Sequence, residues 1–389
     1  MNIFQTAMIS QVLFGVGARH AIGQTLTNMG TKKALIITDK FLHDSGLSND
    51  VETSIKNAGI ESIMFDGAEP ENPIEVIDVV KNLIIEEKID AIIGFGGGSA
   101  MDLAKCARTM TVNEGPIQNY YDLRVPRKTS PLPMILIPTT AGTSSEVSHG
   151  AVAFDKSIQK KIGFSGPDLA ATIACVDPEL TTGLPAKITA VTGLDCLCHA
   201  AESMTCGLND NPVSEMMGKE AIRLIAKSLK KCIENGNDIE ARSDMALACV
   251  YAGIAFESCP PHLAHSMGHT IGAMYHIPHG EACAVFLAPV LEAVAEAKPD
   301  RIKLIGESLG LTFAEDADLD AIKSATGDTI RTLCKELGLR TLKELIPEKD
   351  IPVISQQVMN DVGIFVSPIP MDAKKVETII QSEYEKSCK

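Results

Sequence analysis

Between His262 and Gly280 the chain reads HLAHSMGHTIGAMYHIPHG, which places five of its nine histidines in nineteen of 389 residues. Neutral imidazole is the commonest metal ligand and gains little as ordinary core, so this density in an acidic, non-repetitive chain points to a metal site. Upstream, Asp195 and His199 stand four apart in TGLDCLCHAAE. On a helix that spacing stacks a carboxylate and an imidazole on one face, within reach of one cation. Cys196 and Cys198 are two apart, about 200° around such a helix, and cannot face that ion together, which disfavours a structural zinc–thiolate site. His262, His265 and His269 lie three, four or seven apart and can all share one stripe, while Pro278-His279-Gly280 presents a further histidine at a turn. Spacing leaves more candidates than one ion needs.

A second stretch with chemical potential is IIGFGGGSAMD, residues 92–102. It follows an apolar run and opens a helix, so side-chain-free residues would expose backbone N–H groups at the positive end of the dipole, which suits a pyrophosphate. Gly96, Gly97, Gly98 and Ser99 form the expected cradle. The acidic residue that the ordinary dinucleotide fingerprint places about 20 positions further on is missing. An acid comes earlier, at Asp39 directly after ALIIT. There it is able to accept from ribose hydroxyls and repel a 2′-phosphate, favouring NAD over NADP, or to cap a helix. PTTAGTSSE, residues 138–146, is a hydroxyl-rich loop suited to adenine or phosphate. No G-x-S-x-G elbow is present, which removes a serine-hydrolase reading.

These stretches need elements to position them. Short apolar runs at 34–38, 62–65, 91–95, 134–137 and 172–176 alternate with helix-length segments such as 74–86, the signature of a parallel sheet covered on both faces. Beyond Asp177-Pro178 the strand runs stop, and long helical patterns begin at about residue 186. The expected organisation is an α/β dinucleotide-binding domain over 1–182 and an all-helical metal-binding and catalytic domain over 183–389, with the ligand cleft between them. Lys plus Arg total 35 against 50 Asp plus Glu, a net charge of −15, which argues against a nucleic-acid partner. Eleven cysteines, an odd number without a CxxC pair, favour a reduced intracellular setting. The start MNIFQTAMISQVLFGVG lacks a basic leader region and no apolar run is long enough to cross a bilayer, so a cytoplasmic protein without membrane contact is expected.

The combination of GLDxLxHAxE with HxxxHxxGxxxxxPHG, GGGSxxD and PTTAGTSSE strongly resembles the iron-containing, or group III, alcohol dehydrogenases. The likeness runs from VLFGVGA through TDK, the glycine turn and VDPEL to PHGEA. It implies a dehydroquinate synthase-like architecture and makes Asp195, His199, His265 and His279 the metal ligands. His269 matches the family's extra histidine beside the metal, a proton or conformational relay near the nicotinamide. Asp39 matches the position tied to NAD preference, Asp102 falls in GGGSxxD, Lys161 resembles the cofactor-contacting lysine, and Thr139, Thr140 and Thr143 fall in the adenine-to-phosphate loop.

What the resemblance implies is an NAD-dependent enzyme that interconverts a small primary alcohol and its aldehyde by hydride transfer. Three imidazoles and a carboxylate accept Fe(II), Zn(II), Mn(II) or Co(II); iron is the family's metal. A zinc-dependent, glycerol-type polyol dehydrogenase of the same architecture is the alternative, followed by a non-enzymatic NAD- or metal-binding protein. The family commonly assembles as homodimers or larger, and the segment near Gln11 to Gly15 offers a strand edge. The chain departs from the family's usual pattern at Ala100, in place of proline after the GGGS serine, at Ser148-His149-Gly150, and at Cys259-Pro260-Pro261-His262. His149, Gly150 and His262 are therefore the expected substrate-pocket residues, with His276 unassigned at the same end.

Overall fold

The computed structural model describes residues 4–6 and 10–386; residues 1–3 and 7–9 of the amino-terminal segment read above for a leader, and the last three residues, lie outside them. The chain forms two compact units, Met8–Thr182 and Met1–Ala7 with Gly183–Lys389. Residues 4–6 therefore group with the second unit, where the Asn211 side-chain amide donates to the Gln5 carbonyl at 3.1 Å.

In the first unit six parallel strands form one sheet. They are β1 (Gln11–Phe14), β2 (Lys33–Ile37), β3 (Glu61–Phe65), β4 (Ala91–Gly96), β5 (Met134–Pro138) and, after a hairpin, β8 (Ile173–Val176), in the order β1-β8-β5-β4-β2-β3. The five apolar runs of the sequence are β2, β3, β4, β5 and β8. Successive strand residues face opposite sides. Leu35, Ile37, Ile92 and Leu136 enter one core cluster, and Ala34, Ile36, Ile93 and Ile137 enter the other. Burial on both faces is why β4 and β5 read as continuous apolar runs.

The order changes direction between β2 and β4, because β3 is added on one side of β2 and β4 on the other. Ligands of open α/β sheets bind outside the carboxyl ends of the strands at such a switch. Asp39 follows β2 there, and the glycine turn ends β4 there.

The hairpin of β6 (Gly150–Asp155) and β7 (Lys160–Ser165) is antiparallel and separate from the sheet. Sequence patterning placed no strands here, because the charged run KSIQKKIGFS hides its inward residues. Phe154 N–H donates to the Asn72 carbonyl, and the Asn72 side chain donates to the Val152 carbonyl.

Among the described residues of the second unit there are helices and turns and no strand. Three helices carry the histidine chemistry, Ala186–Thr205, Leu263–Tyr275 and His279–Val294. His279, expected at a turn, is the first residue of its helix, with Pro278 as N-cap after a reversal at His276 in the left-handed region. Proline suits this start because it holds the chain extended just before the first turn. Gly280 lets that helix approach Ala186–Thr205 closely: a Cβ there would fall 2.1 Å from the Val191 carbonyl oxygen and 2.9 Å from Asp195 Cβ.

Candidate metal centre and nucleotide cradle

Asp195 and His199 share one face of Ala186–Thr205, and the helices Leu263–Tyr275 and His279–Val294 bring His265 and His279 to it. Asp195 Oδ1 lies 3.7 Å from His265 Nε2 and 3.5 Å from His279 Nε2. Donors bound at about 2.0–2.3 Å in a tetrahedron lie roughly 3.3–3.8 Å apart, so these separations suit one ion. Asp195, His265, His279 and Cys283 form a donor set whose ligand atoms all lie within 4.8 Å of one another. His199 sits beside this set, stacked on His265 with ring centroids 4.6 Å apart and planes 25° apart, and it also meets Phe256 with centroids 4.8 Å apart. Cys283 is four residues after His279 on one helix, a spacing readable in PHGEAC but overlooked among eleven cysteines.

Asp195 Oδ1 and His265 Nε2 are buried and have no hydrogen-bond partner. Leaving buried polar atoms unsatisfied costs about 1–3 kcal/mol each, a cost that a cation between them offsets. Burial opposes the charge on Asp195, yet the surrounding imidazoles, His199 first, hold its carboxyl below the usual range. Burial, with His199 next, pushes the His265 imidazole well below its ordinary value and keeps it neutral, the form that coordinates. The residues present fit a divalent ion.

His269 is four residues after His265, exposed, and stacked on His279 at 5.3 Å with planes 15° apart. Its Nδ1 is 2.9 Å from Asp361 Oδ2. His262 lies elsewhere. It is 0% exposed, its Nε2 is 2.9 Å from Thr205 Oγ1, and its Nδ1 faces Glu202. Its ring thus has no surface to offer a substrate, which corrects its expected place in a pocket: the whole side chain is buried, and only Nε2 is hydrogen-bonded. His276 is exposed at the helix end.

In the α/β unit, the helix Gly98–Met110 starts directly at the glycine turn with Gly97 as N-cap and no capping side chain. Gly96 has φ +149, where a side chain is strained, and a Cβ on it would stand 3.9 Å from Asp39 Oδ2. Asp39 caps its own short helix through Oδ1, which accepts Leu42 N–H at 2.9 Å. Gly97 and Gly98 have Thr140 and Thr143 as their side-chain neighbours, and Thr139 N–H donates to the Gly96 carbonyl. Asp39, Gly96 to Ser99, Thr139, Thr140 and Thr143 are therefore gathered at one end of the sheet.

Asp102 has partners within the protein. Its oxygens accept Ser145 Oγ at 2.7 Å and Val152 N–H at 2.8 Å, which ties the helix to the loop after β5 and to β6. Lys105, which sequence reasoning missed, is 0% exposed and donates from Nζ to the carbonyls of Ser148 and Gly150 at 3.1 and 2.6 Å. Lys161 on β7 pairs with Glu71 at 2.8 Å, and Glu71 N–H donates to Ser99 Oγ. His149 and Gly150 are half-buried at the start of β6. The glycine cradle and its clustered hydroxyls fit a dinucleotide.

A candidate dinucleotide cradle in one unit and a candidate metal site in the other are what a metal-assisted, NAD-dependent oxidoreductase requires, and the comparisons with known proteins define that class. Residues 10–178 match the family described as iron-containing alcohol dehydrogenase, and residues 189–384 match its C-terminal part. The chain is 32% identical over 378 residues to choline dehydrogenase of Bacillus subtilis (strain 168), covering 96% of this chain and 94% of that protein. It is 33% identical over 372 residues to NAD-dependent methanol dehydrogenase of Bacillus methanolicus, covering 95% and 97%. The crystal structure of a 1,3-propanediol oxidoreductase superposes with a TM-score of 0.93 at 30% identity, covering 98% of this chain and 100% of that one. The chain belongs to the iron-containing alcohol dehydrogenase family, enzymes that interconvert alcohol and aldehyde with NAD. Among the described residues no helix is long and apolar enough to cross a membrane.

Proposed function

We propose that the chain oxidises a small primary alcohol, or reduces its aldehyde, at a divalent metal held by Asp195, His199, His265 and His279. When bound, the ion supplies Lewis-acid polarisation of the substrate oxygen and NAD supplies the hydride acceptor. Asp195 brings the one negative charge of the set, and the neutral imidazoles bring lone pairs without adding to it. Gly96, Gly97, Gly98 and Ser99 offer backbone N–H groups to the pyrophosphate, Thr139, Thr140 and Thr143 offer hydroxyls, and Asp39 Oδ2 is the acceptor for ribose. Lys161 offers a cation once exchanged from Glu71. His269, exposed beside His279 and anchored by Asp361, is suited to relay a proton between substrate and solvent.

The observation that carries this reading is the buried Asp195 Oδ1 and His265 Nε2, within 3.7 Å of each other and without hydrogen-bond partners. Chelated, NAD-free protein reloaded anaerobically with Fe(II) is expected to form NADH with short primary alcohols. Absence of turnover across alcohols and aldehydes with every divalent metal tried would sink it.

A second reading, zinc in place of iron, is favoured by Cys283, because thiolate in a donor set suits zinc. Metal analysis of anaerobically purified wild type and Cys283→Ala decides: a shift of bound metal from zinc to iron on losing the thiol supports it. We also read the chain as a cytoplasmic homodimer or larger assembly, with β1 as a strand at the sheet edge; light scattering that returns a monomer would remove this.

A further inference from the structure

Glu202 stands three residues after His199 on Ala186–Thr205 and is 0% exposed. Its Oε1 accepts Ala264 N–H at 2.7 Å and its Oε2 accepts His265 N–H at 3.2 Å. Those donors belong to the second and third residues of Leu263–Tyr275, whose N-cap, His262, provides no side-chain cap. A carboxylate from a neighbouring helix thus takes over the capping of the helix that carries His265.

The same Oε2 lies 2.5 Å from His265 Nδ1. Both carboxylate oxygens already take backbone N–H donors, so the consistent role of Oε2 toward the ring is again acceptor, and Nδ1 carries the proton. That leaves the lone pair on Nε2, the atom that faces Asp195 Oδ1. On the far side, His262 Nδ1 lies 3.3 Å from Oε1 without a hydrogen bond to it, and His262 Nε2 meets Thr205 Oγ1 at 2.9 Å. Thr205, His262 and Glu202 are all 0% exposed.

We infer that Glu202 is the positioning residue that sets the tautomer and ring orientation of His265 toward the metal, with the His262 ring, held through Nε2 by Thr205, placed beside its carboxylate. The inference rests on the reading of Asp195 and His265 as ligands. It gives the buried His262 a role in the support of the metal centre, away from substrate. Carboxylate–histidine–metal arrangements work in this way, the outer partner fixing which nitrogen is free and raising its basicity.

Glu202→Gln tests it with little change of volume. The amide nitrogen must replace either Oε1, where it confronts Ala264 N–H, or Oε2, where it donates to His265 Nδ1 and drives the proton to Nε2. We expect Co(II) affinity, measured by chelator competition, to fall about 10- to 100-fold, with an altered visible spectrum of the remaining Co(II) complex and a metal-free melting transition that is still cooperative. Wild-type affinity and an unchanged spectrum in Glu202→Gln would overturn the inference. Asp195→Ala separates the two levels: if it keeps full Co(II) affinity the ligand reading itself fails, whereas loss in Asp195→Ala with none in Glu202→Gln removes only the role of Glu202. Should Glu202→Gln not fold, histidine nitrogen NMR of the metal-free wild type decides. A proton on Nδ1 of His265 supports the assignment, and a proton on Nε2 overturns it.

Discussion

His269 Nδ1 and Asp361 Oδ2 meet at 2.9 Å across 92 residues of sequence, joining the exposed histidine to the turn after Ile351–Val358. The other oxygen of Asp361 accepts Ser266 Oγ and Gly363 N–H. Burial works against its charge, but the His269 bond and these donors hold the carboxyl down at about 2. Asp361→Asn is expected to lower kcat by about 10- to 100-fold, the scale of losing a partner that orients a functional histidine, with NAD affinity unchanged. A pH effect on stability follows. The folded value lies below the ordinary 3.8, so the stabilisation is present above about pH 4 and is lost as pH falls toward about 2. The urea-midpoint gap between wild type and Asp361→Asn should narrow over that window; a constant gap would show that ionisation contributes nothing.

Metal removal should reveal itself in stability before activity is measured. A ligand at 100 times its dissociation constant stabilises by about 2.7 kcal/mol, and the buried Asp195 and His265 atoms without partners make the metal-free state the weaker one. Calorimetry with and without chelator should show a lower melting temperature without metal, and Asp195→Asn should be indifferent to added Fe(II) or Zn(II).

Asp39 serves two ends, and variants separate them. Asn is as good an N-cap as Asp, while Ala forfeits about 1 kcal/mol. Asp39→Asn should therefore keep wild-type stability yet gain activity with NADP, through loss of repulsion toward the 2′-phosphate. Asp39→Ala should gain NADP use and also melt earlier. Unchanged NAD/NADP preference in both would leave Asp39 as a cap alone.

Lys105 holds two carbonyls of the Ser148–Gly150 segment from inside the glycine-turn helix and lies 3.9 Å from Asp102. Burial pushes the Asp102 carboxyl up, and Lys105 is the largest influence pulling it back. Lys105→Met should destabilise by about 3 kcal/mol, because it takes the cation from beside that carboxylate and the donor from two carbonyls, and should raise the KM for NAD. Lys105→Arg should not restore it, since a planar fork does not replace a compact ammonium. Denaturant titration paired with NAD titration checks both.

Much of this was legible because it depends on neighbours in sequence. The strands β2, β4 and β5 announce themselves as apolar runs, and Asp195/His199 and His265/His269 announce themselves by a spacing of four. Asp361 could not be found this way, because nothing near residue 361 records that it meets His269. Glu202 was visible in HAAE, but its capping of a helix that begins 61 residues later is a tertiary fact. Lys105 was hidden by its type, since a lysine three residues after an aspartate on a helix ordinarily faces water. The histidine stripe misled at His262, because spacing shows which residues share a face and says nothing of which neighbour lies over it.

Nine of the ten cysteines among the described residues are buried, seven of them on the helices of the second unit or at their ends and one on β8. Burial pushes the thiols of Cys175 and Cys232 up to about 12 and about 11, so native protein should be nearly inert to alkylation at these positions. Each reaction at such a thiol then records an opening event at a known address. The chain carries its own clocks: Cys175 in the central sheet, Cys196 and Cys198 around the aspartate of the candidate metal centre, Cys283 within its donor set. Their relative labelling rates, with metal or NAD added in turn, would report which part of the structure each ligand keeps closed.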